Sequence, residues 1–157
     1  MALEDWIDGV VEAMGGIVGH TGKSLKTYRV SARGEIPEAL QEYPCAIIYP
    51  TRLLGAQYSM GGPCKELWEV RGEFYLFPDT KKTNMPNLIR YFAKIRDATL
   101  VSMTLGGKVD HFRFAEGEAL SLVTMAYAAD TAECQGIVAL WEIKADVTSE
   151  VGAVIGK

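Results

Sequence analysis

The stretch Trp68-Glu69-Val70-Arg71-Gly72-Glu73-Phe74-Tyr75-Leu76-Phe77 decides how the rest of the chain is read. In an extended backbone Trp68, Val70, Gly72, Phe74 and Leu76 fall on one side, and Glu69, Arg71, Glu73, Tyr75 and Phe77 on the other. One side is apolar and the other mixed, so this is a long strand with a buried face. Upstream, Cys45-Ala46-Ile47-Ile48-Tyr49 reads as a second strand, closed on both sides by Pro44 and Pro50. Between the two lies Ser59-Met60-Gly61-Gly62-Pro63, a turn signal flanked by strand-compatible residues, so residues 52–77 form an extended β-hairpin.

Working outward, Leu3, Trp6, Ile7, Val10, Val11, Met14, Ile17 and Val18 recur at helical steps and predict an amphipathic helix over 3–18. Its acids, Glu4, Asp5, Asp8 and Glu12, lie mostly in the first turns, where the helix dipole favours negative charge. Residues 26–30 predict a short strand, and Pro37 opens a single helical turn over 36–40. Thr83 or Asn84 caps a second helix over 85–98 that Pro86 opens, with Leu88, Ile89, Phe92 and Ile95 as its apolar stripe. Strands follow over 109–114, 120–127 and 137–147; in the last, Ile137, Ala139, Trp141, Ile143, Ala145 and Val147 share one face.

This order separates helices from antiparallel strands and lacks the repeated βαβ unit of a parallel sheet. It predicts an α+β fold, a mainly antiparallel sheet with two helices packed on one face and an extended β-hairpin. Residues 1–147 form a single domain, and 148–157 a flexible C-terminal tail.

Composition sets the class. The 157 residues are 48% hydrophobic and 23% charged, enough apolar surface for a core. The apolar runs are too short for a bilayer-spanning helix, and the acidic start Met1-Ala2-Leu3-Glu4-Asp5 is unlike a signal or transit peptide, so the protein is expected to stay where it is made. A net charge of −4 offers no cationic footprint for gripping nucleic acid. Cys45, Cys64 and Cys134 form no C-x-x-C pair; Cys45 and Cys134 read as small buried hydrophobes and Cys64, in a Gly-Pro loop, as more exposed.

Tests for chemistry fail in turn. Gly22-Lys23-Ser24 resembles the end of a phosphate-binding loop, but Ile17 stands where the pattern requires glycine, and a helix precedes it where a strand is needed. His20 and His111 have no companions at metal-ligand spacing, and no nucleophile signature is present. The expected site therefore has no catalytic residue, no cofactor and no metal. Glu69, Glu73, Glu116 and Glu118 read as solvated carboxylates. Trp6, Trp68 and Trp141 sit on apolar faces and read as core. Tyr75 and Phe77, on the otherwise polar face of the long strand, form a patch covered by the chain itself or by another subunit.

The segment Leu88–Arg96, followed by Thr104-Leu105-Gly106-Gly107-Lys108-Val109-Asp110 and later by Gly136-Ile137-Val138-Ala139-Leu140-Trp141-Glu142-Ile143, resembles tailed-bacteriophage tail terminator and neck proteins. Glu42-Tyr43-Pro44-Cys45-Ala46-Ile47 fits the same pattern, and the likeness covers about two thirds of the chain; Cys134-Gln135 departs from it where an aromatic often stands. The resemblance implies a structural virion protein, one of six copies in a ring. Such a ring caps the tail tube, stops its polymerisation and meets the head-side connector or stopper protein, while DNA passes through the lumen without specific binding. It implies no catalysis, and subunit packing through exposed loops that include the hairpin over 52–66. Arg52, Gln57, Tyr58, Met60 and Lys65, together with Tyr75 and Phe77, are the candidate interface residues. A head-to-tail joining protein or a tail-tube subunit fits the same pattern. A reading of another class is a small enzyme or ligand-binding domain with a site gathered from Tyr28, Arg29, His111 and Arg113.

Overall fold

The computed structural model describes residues 3–17, 26–29, 44–77, 85–117, 119–126 and 133–149. Eight elements run in the order α1 (Leu3–Gly15), β1 (Lys26–Arg29), β2 (Cys45–Gln57), β3 (Lys65–Phe77), α2 (Met85–Val101), β4 (His111–Phe114), β5 (Leu120–Ala126) and β6 (Glu133–Asp146). Six strands make one sheet, ordered β1-β2-β3-β6-β4, with β5 also paired to β6. The architecture is α+β: all pairings are antiparallel except β1 with β2, which is parallel.

Alternation along β3 and β6 works as the sequence predicts. Val70 and Phe74 face the helices with Ile137, Ala139, Trp141 and Ile143, all fully buried, and α1 adds Trp6, Val10 and Met14. Gly72 is glycine because of a close approach: a Cβ there would stand 2.6 Å from Cζ3 of Trp141. That ring is fixed by its neighbours. Its Nε1 donates to Thr99 Oγ1 at 3.0 Å, and Phe74 and Phe112 pack on it at centroid distances of 6.1 and 5.4 Å. Thr99 in turn donates to the Ile95 carbonyl, so its hydroxyl is satisfied inside the core.

Four details depart from expectation. β2 does not stop at Pro50 but continues to Gln57; β1 reaches only Ile48, so Pro50 sits at a sheet edge beside a register shift, where a strand tolerates a missing N–H. The stripe of α2 is Leu88, Tyr91, Ile95 and Thr99, while Ile89 is 57% exposed. Cys64 is buried, not exposed. A register shift between Tyr75 and Phe77 breaks the alternation that was to leave these two on one face. Phe77 packs on Tyr91 of α2, edge to face at 6.0 Å, and Tyr75 is 4% exposed. Neither offers an open patch for another subunit. The helical turn expected over 36–40, the phosphate-loop-like Gly22-Lys23-Ser24 and the tail beyond residue 149 lie outside the described residues.

Between α2 and β4 the backbone turns through three consecutive left-handed residues, Leu105 (φ 49°), Gly106 (71°) and Gly107 (86°). Glycine adopts this region without penalty, and leucine at a cost of about 1–2 kcal/mol. Burial of the Leu105 side chain against Gly9 of α1 offsets that cost.

Candidate interaction surface

The far half of the β2–β3 hairpin is sparsely covered. Residues 51–54 and 56–57 of β2 are exposed: among the described residues no helix lies over them, and the described pairing with β1 reaches only Ile48. Their backbone therefore forms an open edge among the described strands. Leu53, Leu54, Tyr58 and Met60 are 43, 37, 54 and 98% exposed. Large apolar side chains concentrated at one end of a sheet mark a surface suited to a partner.

The turn itself is firmly held. Gly61 takes a positive φ, and Gly62 N–H donates to the Ser59 carbonyl at 3.1 Å. Cys64 N–H donates to Thr148 Oγ1 at 2.9 Å, while Val147 N–H donates to the Cys64 carbonyl at 2.8 Å. These bonds join the turn to the end of β6 and explain why Cys64 is buried within a Gly-Pro loop.

Side-chain bonds brace the rest. Arg52 Nη2 donates to Glu69 Oε2 at 3.1 Å, and Thr51 Oγ1 to Glu69 Oε1 at 2.7 Å. Tyr58 donates its hydroxyl to Glu66, which also accepts from Trp68 Nε1 at 3.1 Å. Lys65 lies 2.8 Å from Asp110 and 3.6 Å from Asp146, and the Asp110 hydrogen bond raises its ammonium pKa. Exposed ion pairs of this kind add little stability. Their effect is to fix the hairpin's polar side chains in place.

Of the residues predicted for an interface, Arg52, Gln57, Tyr58, Met60 and Lys65 gather at this far end, with Gln57 opposite Lys65 in the ladder. Tyr75 belongs to a different cluster at the near end. Its hydroxyl donates to Glu73 Oε2 at 3.1 Å, while Tyr49 donates to Glu73 Oε1 at 2.7 Å. Burial, then the hydrogen bond to Glu73, pushes the Tyr49 phenol up to about 12; burial and the Glu73 charge raise Tyr75 as well. Glu73 and Glu69 are therefore bonded carboxylates, not the solvated ones the sequence suggested.

A groove of about 310 Å³ lies on the sheet face away from the helices, lined by Gln57, Lys65, Leu67, His111, Arg113 and Lys144 among others. Arg113 rests on Glu142 at 3.3 Å. His111 Nε2 is buried without a hydrogen-bond partner in the described structure; burial, then Arg113 and Lys144, lowers its pKa. Tyr28 and Arg29 do not join these residues. β1 and β4 are opposite edges of the sheet, four strand spacings or roughly 19 Å apart. The site gathered from Tyr28, Arg29, His111 and Arg113 does not form.

A second groove, of about 450 Å³, lies between α1 and the α2–β4 turn, lined by Gly9, Glu12, Ala13, Val101, Leu105 and Lys108 among others. Leu100, Val101 and Met103 stand exposed nearby at 59, 86 and 61%. The sequence reading missed this feature. The available signal was an apolar run, Leu100-Val101-Ser102-Met103, that falls off the buried stripe of α2.

Among the described residues no group of three or more His, Cys, Asp or Glu is placed to hold a metal ion, and no helix is long and apolar enough to cross a membrane. Fold and surface together define an α+β domain whose described residues leave uncovered a hairpin end with exposed apolar side chains and two grooves of mixed polarity. No family model matches the chain, and no curated protein matches it.

Proposed function

We propose that this chain is a structural protein of a bacteriophage virion, a tail terminator whose copies close into a ring, six in number. The ring caps the tail tube, ends its polymerisation and meets the head-side connector, while DNA crosses the lumen without specific contacts. The observation that carries this reading is the hairpin end: a β2 edge open among the described strands, Leu53 and Leu54 exposed on β2, and Tyr58 and Met60 exposed on a turn held by hydrogen bonds. A head-to-tail ring needs two different complementary surfaces on each copy, and this is one of them. The order α2, Leu-Gly-Gly turn, β4 and a late glycine-containing strand also fits the family that the sequence resembles. Net charge of −4 per copy suits a channel that DNA passes without being gripped.

Light scattering of the purified protein tests it. The expected mass is six times 17.2 kDa; a chain that stays monomeric at micromolar concentration and above refutes a ring. Electron microscopy then separates roles, since a tube subunit stacks into long polymers and a terminator stops at one ring.

A further inference from the structure

We propose that His111 makes the β4 edge of the sheet acid-labile: the folded chain holds its ring neutral, and a proton on that ring loosens β4 where it meets β6 and the hairpin end. This holds whether or not copies assemble. Nε2 of His111 is buried and has no hydrogen-bond partner among the described residues. A neutral imidazole tolerates that, because it can keep its proton on Nδ1 and leave Nε2 as a bare lone pair. An imidazolium carries hydrogen on both nitrogens, so protonation buries an N–H that has no acceptor.

The surrounding charges do not compensate. Lys144 of β6 stands opposite His111 in the ladder, Arg113 lies two residues along β4, and Lys65 of β3 lines the same groove. The nearby acids already serve other groups. Asp110 holds Lys65 at 2.8 Å, Glu142 holds Arg113 at 3.3 Å, and Glu66 accepts from Tyr58 and from Trp68. Asp146 lies 3.6 Å from Lys65 and accepts from the Thr148 N–H. Burial of the ring, then the charges of Arg113 and Lys144, outweigh Glu142 and Asp110 and hold the imidazole below its ordinary 6.5.

β4 is the element placed to yield. It has four residues, ends the sheet order and, among the described strands, pairs only with β6. Backbone bonds bracket it, from Asp110 N–H to the Lys144 carbonyl at 2.8 Å and from Ala115 N–H to the Leu140 carbonyl at 2.9 Å. Phe112 stays anchored on Trp141 in the core, so the response is a local opening and not unfolding of the chain. In the opened strand the ring titrates in water at 6.5. Closure is therefore complete above that pH and weakens as pH falls through it, the opening constant rising by at most about tenfold per pH unit for one proton.

Hydrogen exchange on the intact chain tests this. Between about pH 8 and pH 5, protection of the Asp110 and Ala115 amides, corrected for intrinsic rate, is expected to fall more than protection along the β3–β6 ladder. His111→Gln is expected to abolish that excess. Titration of the wild-type ring by NMR reads the same site without a substitution in it; His20→Gln, at the chain's other histidine, assigns the signal. A His111 pKa below 6.5 is expected, whereas a ring that swings freely into water titrates at 6.5 or above and overturns the proposal. An excess that survives His111→Gln overturns it too, as does protection that falls equally in β4 and along the β3–β6 ladder.

Discussion

Replacing Gly72 with alanine places a methyl group where the centre of the sheet has no room. The new Cβ would meet Trp141 Cζ3 at 2.6 Å, Trp141 Cη2 at 2.7 Å and Phe74 Cε2 at 3.0 Å. Such contacts are relieved only if a ring or the backbone moves. Trp141 is fully buried, bonded to Thr99 and wedged between Phe74 and Phe112, so moving it disturbs the whole layer. Overpacking of this kind costs about 1–3 kcal/mol. Against it, alanine stiffens the unfolded chain, worth about 0.4–1 kcal/mol in favour of folding. Strain wins, and the net loss is about 1–2 kcal/mol by that comparison. With a urea slope of about 1–3 kcal/mol per molar, the unfolding midpoint falls by roughly 0.3–2 M at fixed chain concentration. Gly55→Ala supplies the control. No heavy atom lies within 4 Å of its would-be Cβ, so the unfolded-state term acts alone and the midpoint rises. Equal effects from the two substitutions, or a gain at Gly72, would refute the close packing of Gly72 against Trp141.

Trp141→Ala is expected to cost about 3–5 kcal/mol in the same urea assay, the range for emptying a buried aromatic site. Deleting Tyr58–Gly62 is expected to preserve the fold by circular dichroism, whereas deleting Ala56–Cys64 lowers stability by about 2 kcal/mol more through the two backbone bonds of Cys64. Tyr49 contributes to alkaline stability beside Tyr75 and Tyr91, whose phenols burial raises in the same direction. The Tyr49 phenol holds its proton to about pH 12 in the folded chain but only to 10.0 in the unfolded one, so its contribution is complete below pH 10 and is lost as pH rises towards 12. Tyr49→Phe is expected to make that decline shallower in a series of denaturation curves from pH 9 to about 12.

The parts of the fold legible in the sequence are those governed by periodicity. The alternation at 68–76 and 137–147 gave the two central strands and their buried faces, and the steps in 3–14 gave α1. What escaped depends on neighbours. Pro50 reads as a terminator until the sheet edge beside it is known, and Ile89 reads as core until the sheet selects the Tyr91 side of α2. The fate of Phe77 turns on a register shift against Gln135, which no local pattern encodes. Cys64 is buried because residues more than eighty positions later bond to it. The hairpin surface was visible as a turn signal between two strands. The groove beside α1 was not, since it arises from Gly9, Val101 and Leu105, brought together only by packing.

β6 has a consequence for how the chain acquires its shape. It pairs with β3, β4 and β5 and supplies Ile137, Ala139, Trp141 and Ile143 to the core, yet it follows all five other strands in the chain. The far side of β3 finds its partner only some seventy residues downstream of the β2–β3 hairpin. Contacts of such sequence separation slow folding, and an unpaired strand held open meanwhile is a template for the wrong partner. High expression in a host making many copies at once therefore favours exchange of β6 between chains, and yield is expected to depend on how quickly this strand returns to its own hairpin.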